Sequence, residues 1–157
     1  MGERSGARRW VWELLRHSGA EARAVRFAGP PMLVLYATDL LFTTKVSATA
    51  RAASAPLTVV RGLASLHERL AVTVGATNGG APALVIVDLD AEEAIEAVEA
   101  AARSLPRPRV LAYVSHVRAD LAAAARTAGA DQVMARSAFV ADLDAIVRSA
   151  AAPHGPR

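Results

Sequence analysis

The chain has 157 residues, 53% of them hydrophobic, a formal net charge of +3 and no cysteine. That length supports one hydrophobic core and is short for two ordinary domains, while the missing cysteine removes disulfides, thiolate catalysis and cysteine zinc sites together. No apolar run approaches the roughly 20 residues that a membrane helix needs, and the first apolar cluster, interrupted by Glu13 and Arg16, is no secretory signal, so a cytoplasmic protein is expected.

The charge is unevenly placed. Residues 1–31 carry six arginines against Glu3, Glu13 and Glu21, which accounts for the whole +3, whereas residues 32–157 hold 12 basic and 12 acidic side chains. The folded part lacks the basic bias of a nucleic-acid surface, so no nucleic-acid partner is expected for it. Within the leader, Trp10, Val11, Leu14 and Leu15 with Arg8, Arg9 and Arg16 have the makings of one short amphipathic helix. Gly29-Pro30-Pro31 breaks any helix before the first strand. Met32 opens that strand where a start codon would serve. Residues 1–31 are therefore read as a basic leader, disordered or a short helix, whose deletion should leave the thermal midpoint nearly unchanged.

From Met32 onward, strand and helix alternate. Met32-Leu33-Val34-Leu35-Tyr36 runs into Ala37-Thr38-Asp39 and a helix carrying Leu41, Val46, Ala50 and Ala53. Leu57-Thr58-Val59-Val60 is a shorter strand, followed by Leu63, Leu66 and Leu70 at helical spacing. Ala83 to Val87 is a wholly apolar run that ends at Asp88 and Asp90. Such a run reads as an interior strand of a parallel sheet, buried on both faces. Its acids then fall at the carboxyl end, where ligands bind in open α/β sheets. Asp90 and Glu93 have the spacing of a capping box for the next helix, whose apolar face is Ile95, Val98, Ala102 and Leu105. Arg109 to Val114 makes the fourth strand, Ala119 to Ala128 an alanine-rich helix, and Gly129 its glycine C-cap. Gln132-Val133-Met134 is a brief fifth strand, and residues 140–150 the last helix. Five alternations in about 120 residues predict an α/β fold, a doubly wound five-stranded parallel sheet over residues 32–150, with a short tail at 151–157.

Few motifs carry chemistry. His17, His67, His116 and His154 show no metal spacing. No G-x-G-x-x-G follows the first strand, and neither a P-loop nor a G-x-S-x-G elbow is present. Asn78-Gly79-Gly80 reads as a turn before the third strand. Asp88 and Asp90, two apart, are either a pair of acid/base carboxylates or one ligand-edge acid and one helix cap.

Taken together, the βα alternation, the strand ending at Asp88, and the block from Val110 to Phe139 with its Ala128-Gly129-Ala130-Asp131 turn resemble the receiver domain of two-component response regulators. The resemblance covers about residues 32–150 and implies a flavodoxin-like strand order 2-1-3-4-5. It places Asp88 at the phosphoacceptor position and Asp39 at the second of the paired acids, with Thr38 in place of the first. Val114 stands where a hydroxyl residue is expected and Ser115 one place later. Arg136 replaces the lysine and Ser137 the proline that usually follows it. The implied metal site is Mg²⁺ held by Asp39, Asp88 and the backbone carbonyl of Asp90, with Ser115 and Arg136 contacting the phosphoryl group. Asp39, Asp88 and Arg136 are expected to converge within about 10 Å at one edge.

The departures weaken that chemistry. Phosphoryl transfer needs charge neutralised on the transferred oxygens, and Mg²⁺ sites are built from carboxylates, waters and phosphate. Losing the acid at Thr38 removes about one carboxylate. Arg136 keeps the charge, but a planar guanidinium does not substitute for an ammonium at a compact site without rearrangement. Val114 donates no hydrogen bond. Three functions follow. The first is a degenerate receiver, a stand-alone signalling module without catalysis that works by contact with a histidine kinase, a downstream signalling protein or a second copy of itself. The second is a single-domain response regulator phosphorylated on Asp88 with Mg²⁺. The third is a small α/β enzyme using Asp39 and Asp88. Because only about seven residues follow the last helix, no attached output domain is expected.

Overall fold

The structure is a computed structural model and describes residues 31–71, 80–115 and 118–152. The leader at 1–30, the turn residues 78–79, His116 and the tail at 153–157 lie outside the described residues. Strands and helices follow in the order β1 (Met32–Tyr36), α1 (Leu40–Ala52), β2 (Leu57–Val60), α2 (Leu63–Leu70), β3 (Pro82–Asp88), α3 (Ala94–Arg103), β4 (Arg109–Val114), α4 (Ala119–Ala128), β5 (Gln132–Ala135) and α5 (Arg136–Ala151). The strands form one sheet in the order β2-β1-β3-β4-β5, every neighbouring pair parallel.

The side-chain period of two in each strand sorts the core onto two faces. Leu33, Leu35, Leu84, Ile86, Leu111 and Tyr113 face Val46 and Ala50 of α1 and Phe139, Leu143 and Val147 of α5. Val34, Tyr36, Val85, Val87, Val110 and Ala112 face Leu66 of α2, Ala97 and Val98 of α3 and Ala125 of α4. With helices on both sides, β1 buries all five of its residues, which is why these strands read as unbroken apolar runs instead of alternating ones. Each fully buried Leu, Ile or Val contributes on the order of 1.5–3 kcal/mol, so the three inner strands β1, β3 and β4, each with at least five buried residues, supply most of the sheet's stabilisation.

Helix α1 and helix α4 end in the same way. The Ala55 amide bonds the Ala50 carbonyl at 2.9 Å and the Ser54 amide the Arg51 carbonyl at 3.0 Å, and Ala130 and Gly129 repeat the pattern with Ala125 and Arg126 at 2.9 and 3.1 Å. Both are Schellman closures with a left-handed residue at the turn: Ser54 at φ 54° and Gly129 at φ 112°.

The sequence expectations need two corrections. The last helix begins at Arg136, not at residue 140, because β5 passes directly into it. The capping box does not form. Helix α3 begins only at Ala94, Glu93 precedes it in a left-handed conformation (φ 56°) with no side-chain cap, and residues 89–92 make a tight turn. In that turn the Asp90 amide donates to Asp88 Oδ1 at 3.0 Å and the Ala91 amide to the Asp88 carbonyl at 3.1 Å. The turn closes on Asp88, so Asp90 is used before a helix can start.

Candidate functional site

Parallel strands bring all their carboxyl ends to one edge, and three charged residues meet there. Asp39 is the N-cap of α1, where Oδ1 accepts the amides of Leu41 and Phe42 at 3.0 and 3.1 Å. This is the role that a short carboxylate plays at an N-cap. Asp88 is the last residue of β3 and is 2% exposed. Arg136 is the first residue of α5. Its Nη2 reaches Asp39 Oδ2 at 3.3 Å and Asp88 Oδ2 at 3.4 Å, so one guanidinium nitrogen bridges both carboxylates. The three side chains therefore converge well inside the expected distance.

Arg136 also lies against rings. Its guanidinium carbon is 4.5 Å from the Phe42 ring centroid and 5.6 Å from that of Tyr113, within cation–π range. Phe42, Tyr113 and Phe139 pack on one another at 4.8–5.8 Å between centroids. Tyr113 is the register partner of Asp88 across β3 and β4, so its side chain rises on the same face of the sheet. The ring is fully buried, and its hydroxyl lies beside the Asp88 carboxylate and the Arg136 guanidinium, each of which acts on its protonation.

Electrostatics separates the two acids. Burial holds the Asp88 carboxyl above the usual aspartate range, and the Asp90 amide and Arg136 only partly offset it. Asp39 goes the other way. The Phe42 amide is the main cause of its lowered pKa; the modest burial opposes this and Arg136 adds to it. Burial alone would lower the pKa of Arg136, but the Asp88 and Asp39 charges and Tyr113 outweigh it and raise it. Burial first, and then the Asp88 charge, pushes the Tyr113 phenol far above its ordinary value, so it stays protonated. Two carboxylates, one guanidinium and one protonated phenol leave a formal charge of −1.

The remaining candidates are placed differently. Asp90 turns its carboxylate to the Ser115 amide, Oδ2 accepting at 2.8 Å. Asp39 and Asp88 share Arg136 and the Asp90 main chain closes on Asp88, while the described residues contain no group of three or more His, Asp or Glu side chains placed to hold a metal ion. A divalent cation and the guanidinium would compete for the same two oxygens. Ser115 reaches the site through its amide. Val114, where a hydroxyl would be expected, is buried and apolar. The residues that sequence reasoning missed are Phe42 and Tyr113. Tyr113 carries a hydroxyl at the end of an otherwise aliphatic strand, a signal that is easily read as core.

Two grooves of the described surface lie elsewhere. One of about 320 Å³ is bounded by Leu40, Thr43, Ser47, Arg51 and Arg61, and one of about 550 Å³ lies between α2 and α3. Neither is lined by Asp39, Asp88 or Arg136. No helix among the described residues is long and apolar enough to cross a membrane.

No protein-family model matches the chain, and no curated protein matches it. Solved structures do. The phosphorylated cyanobacterial phytochrome response regulator RcpA superposes with a TM-score of 0.61 at 14% identity, over 77% of this chain and 91% of that one. A response regulator from Thermotoga maritima gives 0.59 at 15%, over 78% and 98%. One from Burkholderia pseudomallei, with a phosphorylated aspartic acid and a calcium ion, gives 0.59 at 17%, over 78% and 69%. At these identities the likeness concerns architecture: the chain has the flavodoxin-like fold of response-regulator receiver domains.

Proposed function

We propose that this chain is a degenerate receiver, a signalling module that acts through protein–protein contact without catalysis and in which phosphorylation of Asp88 is vestigial. The observation that supports this reading is the Arg136 bridge to Asp39 and Asp88. A phosphoryl group entering there meets a buried carboxylate already paired with the Arg136 guanidinium, and no hydroxyl at Val114. The charge neutralisation on which phosphoryl transfer depends is spent on the resting site. The partners that suit such a module are a histidine kinase, a downstream signalling protein or a second copy of this chain, in the cytoplasm.

The test is incubation with acetyl phosphate and Mg²⁺ followed by intact mass measurement. The expected spectrum shows no stoichiometric adduct. A gain of one phosphoryl group that disappears in Asp88→Asn overturns the reading and establishes the second one, a single-domain response regulator phosphorylated on Asp88. One observation favours that alternative: Arg136 holds the acids through a single nitrogen at 3.3 and 3.4 Å, longer than the 2.7–2.9 Å of strong charge-assisted bonds. It requires Arg136 to leave the carboxylates, with Asp39, Asp88 and the main chain of Asp90 then open to Mg²⁺ and Ser115 and Arg136 free to contact the phosphoryl oxygens.

A further inference from the structure

We infer that Arg136, seated against the rings of Phe42 and Tyr113, is a built-in cation that keeps divalent metals off the acidic edge, so that the site binds such a metal only when the guanidinium is removed. This deepens the reading above and shares its geometry, but it concerns what the site excludes, whether or not Asp88 takes a phosphoryl group.

The argument starts from the oxygens. Asp39 Oδ1 is committed to two helix amides and Oδ2 to Arg136; Asp88 Oδ1 is committed to the Asp90 amide and Oδ2 to Arg136. Both oxygens that can serve a shared cation therefore already serve one. A hard divalent ion takes six or more oxygen ligands, and with Arg136 present it finds neither oxygen free. If Arg136 is withdrawn, two carboxylates remain facing one another, one of them buried in surroundings where a charge without a partner is costly.

The guanidinium is also held where it is. Arg136 begins α5 immediately after Ala135 ends β5, so no loop lets it drift. A cation at a helix N-terminus opposes the helix dipole, and the two carboxylates compensate for that placement. Its guanidinium lies over the Phe42 ring with the Tyr113 ring alongside, and Arg packs on aromatic faces in a way that Lys does not. Phe42 and Tyr113 are accordingly positioning residues: they touch no ligand but fix the group that does. Phe42 belongs to the first turn of the helix that Asp39 caps, so the same turn places both the carboxylate and the ring.

The probe is Mn²⁺, read by paramagnetic broadening of the Leu41, Phe42 and Asp90 amides, which bond directly to the two carboxylates. Acetyl phosphate is absent throughout, so the titration is independent of any phosphoryl uptake. The wild-type chain is expected to show no selective broadening at millimolar Mn²⁺. Arg136→Met should bind at least tenfold more tightly, with Mg²⁺ competing. Phe42→Leu, which removes a ring and no charge, should fall between the two. Arg136→Lys, which keeps the charge but not the planar face, should also gain affinity and serves as the measurement if the methionine variant does not fold. Equal Mn²⁺ affinity in the wild type and the arginine variants overturns the inference, as does the absence of any gain in them. A Phe42→Leu variant as metal-free as the wild type overturns the role given to the ring.

Discussion

Replacing Arg136 with methionine should destabilise the fold in a way that depends on pH, because the substitution acts through Asp88. Removing one partner of a fully buried ion pair costs about 3–5 kcal/mol, whereas an exposed pair is worth about 0–1 kcal/mol. Here the Asp88 side chain is 3% exposed but Arg136 is 28% exposed. The long contacts and solvent screening therefore place the loss between those limits, at about 1–3 kcal/mol near neutral pH. Methionine refills the ring contact with a sulfur–aromatic one, which leaves the charge as the main change. The sign follows from the direction of each shift. Asp88 has its folded pKa raised, chiefly by burial, so ionising it costs stability, increasingly as pH rises above its unfolded value of about 3.9. Without Arg136 its pKa rises further and that cost grows. Well below its unfolded pKa, Asp88 is neutral in both proteins and this part of the deficit disappears. Asp39 has its folded pKa lowered, first by the Phe42 amide, so its contribution is present above its unfolded pKa and is lost as pH falls through the folded one. It remains largely intact in the variant because the amide survives. Urea unfolding of both proteins across this pH range measures the difference. A deficit that stays constant with pH, or grows towards acid, refutes the assignment of Arg136 as the partner of ionised Asp88.

Two further substitutions test the helix closures that frame the sheet. Gly129→Ala places a Cβ 2.6 Å from Ala102 Cβ at φ 112°; left-handed strain of about 1–2 kcal/mol and overpacking of about 1–3 kcal/mol predict a loss of about 2–4 kcal/mol in urea unfolding. Ser54→Gly, at an exposed left-handed position with both Schellman bonds in place, should gain up to about 1 kcal/mol, measured as a higher thermal midpoint.

How legible the molecule was depends on what each residue's neighbours in sequence reveal. The central strands stand out because burial on both faces demands unbroken apolar runs, and Leu33 and Val85 satisfy that demand whatever the helices do. Asp88 stands out for the complementary reason, since an acid directly after such a run must lie where the chain leaves the sheet. The start of α3 was hidden. Asp90 and Glu93 fit a capping box by spacing, but Asp88 draws the Asp90 amide to its own side chain and the Ser115 amide takes the Asp90 carboxylate. That competition joins residues 25 apart, which no local pattern encodes. The early start of α5 was hidden too, because residues 136–139 carry one inward apolar position, Phe139, too few to show a helical period.

Tyr113 and Val114 show why the site itself was the least legible part. Adjacent strand residues point to opposite faces, so a hydroxyl placed one residue early does not reach where a hydroxyl one residue later would. Read in sequence, Val114 is a loss and Tyr113 is core. Read in space, Tyr113 is the register partner of Asp88 and turns its phenol into the face where Arg136 and Phe42 meet. The phenol stays protonated, with Asp88 and Arg136 as its polar neighbours, and its ring shapes the seat of the guanidinium. In the function proposed above, Val114 and the arginine at 136 belong together, since a cation seated on the resting carboxylates leaves no phosphoryl charge for a switch hydroxyl to read.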